Sequence, residues 1–428
     1  MFSKKTIHDI DLKGQTVLLR ADYNVPLDNG KITDDYRIKQ SIPTIKYLLD
    51  HADKLIICSH LGRPKGKTDS SLSLKPVAER LSKILDKKVN FVSTAVGDQA
   101  QKAVKDLASG QILLLENLRF YPQEEANNSE FAKQLASYAN IFVQDGFGVV
   151  HRAHASTEAI THYLPSVAGL LLAKEVDVIT SVMENPKRPL MAIIGGAKIA
   201  DKIEILKRFI KIADFLAVGG ALANPFLEAK GLNVADSLSD KEDVPLAKQI
   251  LAEAEKESSK RPFVFAVPHD FVVANKIDKT SKTRIVDISS NSYADIIYYP
   301  GGVPKSSYTL AKDEKILDMG PFSASFIAGA IQLSNSVVWN GTLGITETEG
   351  LQGPIGPFSH GTRTIVEAIV GDLGHKPFSL VGGGDTAAYI EKEGMISSYN
   401  HVSTGGGACL DLMSGHKLPG VEALLDKK

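Results

Sequence analysis

Apolar runs of three or four residues recur along the chain, at 16–19, 55–58, 112–115 and 141–143, and again at 191–194, 215–218, 337–339 and 378–381. Each is too short for a helix, is rich in Val, Ile and Leu, and ends in turn-forming or charged residues. Such runs read as strands buried on both faces. Longer stretches between them repeat their apolar positions with a helical period. Strand and helix in alternation predict an α/β protein whose helices cover mostly parallel sheets. A more continuously apolar helical segment, 170–182, leads to Pro186 and Pro189, and a division into two domains is expected there.

The residues just after the strands differ between the two halves. In the first half the strands open into Arg20, Asp22 and Asn24, into His60 and Arg63, into Glu116 and Arg119, and into Gln144, Asp145 and Gly146, with Arg37, His151, Arg152 and His154 nearby in the sequence. Open α/β sheets bind ligands beyond the carboxyl ends of their strands. Several guanidiniums gathered there suit a small, multiply charged anion, because arginine grips carboxylate and phosphate with two prongs. Taken singly, each could instead pair with Asp22, Asp35 or Glu116. Asp22 and Asn24 could hold a substrate hydroxyl or cap the turn before Pro26. His151 and His154 lack metalloprotease spacing and a third ligand nearby, which sets zinc behind anion binding or a structural role.

In the second half the strand ends supply glycines and lysines: Gly195, Gly196 and Lys198; Gly219 and Gly220; Asn340 and Gly341; and Gly382, Gly383, Gly384, Asp385 and Thr386. Glycines at a strand-to-helix turn let backbone N–H groups approach an anion. Lys198 and Lys202 are expected on a helix starting at Gly195, where an anion between them offsets their repulsion; pairing with Asp201 and Glu204 is the alternative. Asp385 at a helix start would repel an anion unless a hard cation intervened, which suggests Mg²⁺ held by one carboxylate and a phosphate-bearing ligand. The plainer alternative is a helix cap. Gly219 and Gly220 would let a flat ring lie against backbone, and Asn340 and Glu347 could meet ribose or base. The contrast between halves implies two ligands, one per domain. Residues 404–408 add another anion-friendly turn.

Composition narrows the field. With 428 residues and a net charge of −1, the chain has no basic excess to suggest a nucleic-acid partner, and its two cysteines, Cys58 and Cys409, are too few for a disulfide framework. The first residues lack a signal-peptide core and no run is long enough to span a bilayer, so a cytoplasmic protein without a membrane partner is expected. There is no G-x-x-x-x-G-K-S/T loop. Nor is there a G-x-G-x-x-G followed by a ribose-binding acid, which removes a nicotinamide-dependent oxidoreductase.

Taken in order, these motifs resemble the phosphoglycerate kinase family from about residue 10 to the C-terminus, most specifically at 20–26, 59–64, 151–156, 195–202, 382–386 and 401–407. The resemblance implies an α/β fold of two Rossmann-like three-layer lobes with mostly parallel sheets, joined by a hinge helix. Residues 1–170 would form a phosphoglycerate-binding domain against which 405–428 packs back, and 171–404 a Mg-nucleotide-binding domain. The implied reaction is reversible phosphoryl transfer from 1,3-bisphosphoglycerate to Mg-ADP, giving 3-phosphoglycerate and ATP, by a monomer whose lobes close on their ligands. Position by position, Asp22, Asn24, Arg37, His60, Arg63, Arg119 and Arg152 match the family's phosphoglycerate-binding residues. Lys198, Lys202, Gly219, Asn340, Glu347, Gly382, Gly383, Gly384, Asp385 and Thr386 match its nucleotide side, with Asp385 as the Mg²⁺ ligand. Catalytic roles are implied for Arg37, Lys202, Gly383 and Gly406, which would stabilise the transferring phosphoryl group. No general base is implied, since the attacking atom is already a carboxylate or phosphate oxygen.

The chain departs from the family in places. Thr342, Leu343, Ile345 and Thr346 stand where Pro, Met, Val and Phe are usual, and Pro225 replaces a Thr near the expected purine. Gln144, Gly146, Val149, Val150 and Cys409 also depart, and 263–318 matches loosely. None removes a charge the reaction needs. A non-catalytic binding protein on this scaffold would be expected to lack Arg37, Lys202 or Asp385, and all three are present.

Overall fold

The computed structural model describes residues 2–287, 309–351 and 355–427. Its contacts divide the chain into two units, Met1–Thr180 with Thr404–Lys428, and Ser181–Ser403. The division falls inside the helix Leu170–Glu184.

The first unit is built on strands β1 (Thr16–Arg20), β2 (Lys54–Cys58), β3 (Val89–Phe91), β4 (Ile112–Leu114), β5 (Ile141–Gln144) and β6 (Ser166–Ala168). They form one parallel sheet in the order β3-β4-β2-β1-β5-β6. The continuous apolar runs are explained by two cores, one on each face. Val17, Leu19, Leu55 and Ile57 point into a core shared with the helices Tyr36–His51 and Lys75–Leu85. Leu18, Ile56, Leu113 and Phe142 point into another, shared with Asp98–Lys105 and Ser129–Ala136. The C-terminal segment belongs to this unit: Lys5 N–H donates to Leu425 O at 2.7 Å, Leu425 N–H to Ser166 O at 3.0 Å, and Gly420 N–H to Val150 O at 2.9 Å.

The second unit carries β7 (Leu190–Ile194), β8 (Phe215–Val218), β9 (Val264–Ala266), β10 (Asp270–Ala274), β11 (Arg284–Asp287), β12 (Lys315–Met319), β13 (Ser336–Asn340), β14 (Phe378–Gly382) and β15 (His401–Val402). Its main sheet is parallel, in the order β9-β8-β7-β13-β14-β15. The chain winds outward from β7 to β9, then returns to the other side of β7 and winds outward again. This Rossmann-like order reverses between β7 and β13, and such a reversal opens a crevice beyond the strand ends. The loosely matching stretch supplies β9 and a separate antiparallel sheet, β11-β10-β12. The polar residues 276–283 are mostly exposed, and the chain then enters β11, where Val286 is drawn into a small core with Phe271 and Val273. The turn-rich residues 300–308 lie outside the described residues. Both units are thus α/β with mostly parallel sheets. Among the described residues, no helix is long and apolar enough to cross a membrane.

Candidate functional site

In the first unit, the ends of β1, β2 and β4 bring together much of the predicted set. Asp22 is buried; its Oδ2 accepts from Arg37 Nη1 at 3.2 Å and its Oδ1 from Asn24 N–H at 3.1 Å. Arg37 Nη1 also donates to Asn24 O at 3.1 Å, and Asn24 Oδ1 accepts from Gly62 N–H at 2.8 Å. Arg119 Nη1 donates to Gly62 O at 2.9 Å. These bonds tie the turns after the three strands to one another. Glu116 takes no part in pairing the arginines: it accepts from Leu74 and Asn117 N–H and from Ser73 Oγ. Asp35 is likewise committed elsewhere, to Arg80 and Lys39. Arg63 and Arg152 are exposed and have no ion-pair partner among the described residues. Arg37 pairs with Asp22 at 3.2 Å and Arg119 Nε with Glu125 at 3.3 Å, which leaves the exposed Arg63 and Arg152 as strand-end guanidiniums without a carboxylate among the described residues.

The histidines register that field. Burial, followed by the charge of Arg20, holds His60 protonation well below the usual range. His154 is lowered to about 4 by burial and by Arg20, Arg119 and Arg152, and His151 is lowered by burial and Arg152. Among the described residues, Nδ1 of His151 and of His154 has no hydrogen-bond partner. Arg20 differs from the other arginines. The sequence places it at the anion site, but it is completely buried and donates to Ser156 Oγ and Ala21 O. Gly406, assigned a catalytic role, begins the helix Gly406–Ser414, where Gly407 lies against the His151 ring.

In the second unit, the crevice at the strand reversal is spanned by Lys202. Its Nζ donates to Gly195 O after β7 and, at 2.8 Å, to Asn340 Oδ1 at the end of β13, with Asn340 O at 3.2 Å. Enclosure lowers its pKa to about 8, partly opposed by Asp385 and Asp201. The two glycine turns press together here: a Cβ on Gly341 would sit 2.3 Å from Gly195 O, and φ of +96° further restricts this position to glycine. Thr386 Oγ1 accepts from Gly341 N–H at 2.8 Å, fixing the β13 turn to the β14 turn. Gly383, with φ of +97°, turns the chain into the helix Gly384–Lys392, whose first turn carries the exposed Asp385.

A pocket of about 450 Å³ opens beside these turns. Gly196, Gly220, Leu343, Glu347 and Asp385 help line it, together with residues of β12. A Cβ on Gly219 would lie 2.5 Å from Leu343 Cδ2, so this glycine admits the Leu343 side chain.

Several sequence expectations change. Lys198 and Lys202 do not share a helix: the α-helix begins only at Ile203, after a short 3₁₀ turn at Ala200–Lys202, because the chain must first turn at Gly196. Lys198 is exposed and pairs weakly with Asp240 at 3.7 Å, not with Asp201 or Glu204. Asn340 is buried and its side-chain oxygen is engaged by Lys202. Pro225 is buried in the first turn of Asn224–Ala229 and does not line the pocket. Sequence reasoning missed Glu124 and gave no role to Asp145, two buried carboxylates that brace the site. Glu124 accepts from Ser156, and Asp145 from the first N–H groups of Leu170–Glu184, with burial raising the Asp145 pKa to about 7.

Known proteins resemble the chain over nearly its whole length. A profile of the family described as phosphoglycerate kinase matches residues 7–416. The phosphoglycerate kinase of Chloroflexus aggregans is 43% identical over 427 residues, covering 99% of this chain and 99% of that protein. That of Moorella thermoacetica is 41% identical over 425 residues, covering 99% and 100%. Among solved structures, phosphoglycerate kinase from Coxiella burnetii superposes with a TM-score of 0.80 at 34% identity, covering 98% of each chain. The Pyrococcus horikoshii OT3 phosphoglycerate kinase gives 0.80 at 28% identity, covering 99% and 98%.

Proposed function

The chain belongs to the phosphoglycerate kinase family, and on that premise we propose that its two units divide the substrates of the family's reaction between them. The reaction is reversible phosphoryl transfer between 1,3-bisphosphoglycerate and ADP, giving 3-phosphoglycerate and ATP, a step of glycolysis. The observation that carries the division is a contrast in charge: the unpaired guanidiniums of Arg63 and Arg152 beside histidines held neutral in one unit, a lysine and glycine turns beside a pocket in the other. A small trianion fits the first and a nucleotide fits the second, which is of ligand size.

Phosphoglycerate is held, on this reading, by Arg63 and Arg152, which have no carboxylate of their own, and by Arg37, Arg119 and His60. Asp22 and Asn24 position Arg37 and the Gly62 turn around it. On the nucleotide side, Gly219 and Glu347 flank the base and ribose, and Gly382 to Thr386 with Lys198 face the phosphates. Mg²⁺ fits Asp385. That carboxylate is exposed at the pocket with no hydrogen bond or ion pair to it among the described residues, and Mg²⁺ is commonly bound by one or two carboxylates plus substrate phosphates. When bound, the ion would screen the negative charge of those phosphates. Phosphoryl transfer needs positioning and charge stabilisation more than covalent help. Lys202 supplies a positive charge held by Gly195 and Asn340, and Gly383 an N–H donor, in one unit; Arg37 and Gly406 supply the same two kinds of group in the other. The protein is proposed to act as a cytoplasmic monomer.

A coupled assay with 3-phosphoglycerate, Mg²⁺ and ATP, repeated with GTP, tests this reading. Turnover that disappears on chelation of Mg²⁺ is expected. Binding of 3-phosphoglycerate without turnover on either nucleotide would overturn it.

A further inference from the structure

Every arm of the Arg20 fork is spent on protein atoms. Nε donates to Ser156 Oγ at 2.8 Å, Nη1 to the Ala21 carbonyl, and Nη2 meets His60 Nδ1 at 3.2 Å. Ser156 Oγ donates to Glu124 Oε1 at 2.5 Å and its N–H donates to Glu124 Oε2 at 3.0 Å. Arg20, Ser156, Glu124 and His60 are all buried. Buried polar groups of this kind hold one arrangement, because any alternative leaves a donor or a charge unmatched.

The contact with His60 has only one possible direction. Guanidinium nitrogens donate and do not accept, and they remain protonated throughout the working range. Nδ1 of His60 is therefore the acceptor, and its ring proton resides on Nε2. An imidazolium carries a proton on both nitrogens and could not accept from Arg20. The other groups facing this ring agree. Arg119, Arg37 and His154 all oppose its protonation, and Asp22 Oδ1, at 3.9 Å from Nδ1, is beyond hydrogen-bond range.

We propose that Arg20 is a positioning residue for phosphoglycerate binding. Braced by Ser156 and Glu124, it fixes His60 as the neutral Nε2–H tautomer, so that the anion site contains an uncharged hydrogen-bond donor of fixed identity. This inference rests on the placement of His60 in the phosphoglycerate site and goes beyond it by assigning the proton and the residue that holds it there.

The test is long-range ¹H–¹⁵N correlation on the full chain labelled at histidine, with His60 assigned by the His60→Gln spectrum. From about pH 5 to pH 8, where an ordinary imidazole changes charge, Nδ1 is expected to stay unprotonated and Nε2 protonated. A proton on Nδ1, or an imidazolium at the acid end, would overturn the proposal, and this wild-type experiment decides even if Arg20 variants do not fold. Arg20→Met is expected to mix the tautomers and weaken 3-phosphoglycerate binding about tenfold, the equivalent of one hydrogen bond. It should leave ADP binding within about twofold, a difference below any single contact, and Arg20→Lys should restore part of both effects. An unchanged His60 signature in Arg20→Met would also overturn the proposal. If His60→Ala binds 3-phosphoglycerate normally while the wild-type tautomer is as stated, the placement of His60 at the ligand fails and takes the functional half of the inference with it.

Discussion

Lys202 shows how local surroundings set a charge. Three oxygens from two strand ends receive its ammonium, yet enclosure still costs enough to lower its pKa to about 8. The folded protein releases this proton at lower pH than an unperturbed lysine, whose pKa is 10.5. The destabilisation is therefore full below about 8 and fades as pH rises towards 10.5, where the unfolded chain binds more protons. An anionic nucleotide should push the pKa back up. Calorimetry at pH 8 in buffers of different ionisation enthalpy is expected to report net proton uptake on ADP binding in the wild type and less uptake in Lys202→Ala; equal uptake in both would assign the proton elsewhere. The same variant should lose turnover by about 10²–10³-fold, the usual cost of one preorganised charge donor, while 3-phosphoglycerate affinity by titration stays near that of the wild type. Near-normal turnover would remove Lys202 from catalysis.

The strands most visible in the sequence are the inner ones, whose residues fill a core on each face and so make unbroken apolar runs. Three of the outermost strands, β3, β6 and β15, are two or three residues long and give no such run, which is why the pattern did not reveal them; β9 lies in the apolar run 263–267, inside the loosely matching stretch. Glycines and charges after the inner strands were legible for the same reason: a strand buried on both faces must stop abruptly. Three details were not legible. Arg20 turns inward and Asn340 is engaged by Lys202, each through a partner far away in the sequence, and the helix after Gly195 starts late because the chain first turns at Gly196. The packing of Gly341 on Gly195 offers a check on this element. Gly341→Ala is expected to destabilise the second unit by about 1–3 kcal/mol, through overpacking with added backbone strain, and to weaken ADP binding, as read by urea unfolding with and without ADP. Unchanged stability would mean that the two turns can separate without cost.

The first and last residues of the described chain both belong to the first unit, so in sequence the second unit is an insertion between Thr180 and Thr404. Thr404 is tied back by Glu175, whose Oε1 accepts from its N–H at 2.6 Å and from its hydroxyl at 2.7 Å. Each unit keeps its own sheet, its own cores and its own set of strand-end residues, so a change in one set need not disturb folding of the other. The central claim is that each unit holds one substrate. It is tested most directly by titrating 3-phosphoglycerate and Mg-ADP separately into wild type, Arg63→Ala and Asp385→Ala. Both altered side chains are exposed and outside the cores, so both variants should fold. Arg63→Ala is expected to weaken 3-phosphoglycerate about 10–100-fold, the value of a charge-assisted hydrogen bond, and to leave Mg-ADP unchanged, whereas Asp385→Ala should do the reverse. If either substitution weakens the other ligand equally, or neither weakens its own, the division of substrates between the units is wrong.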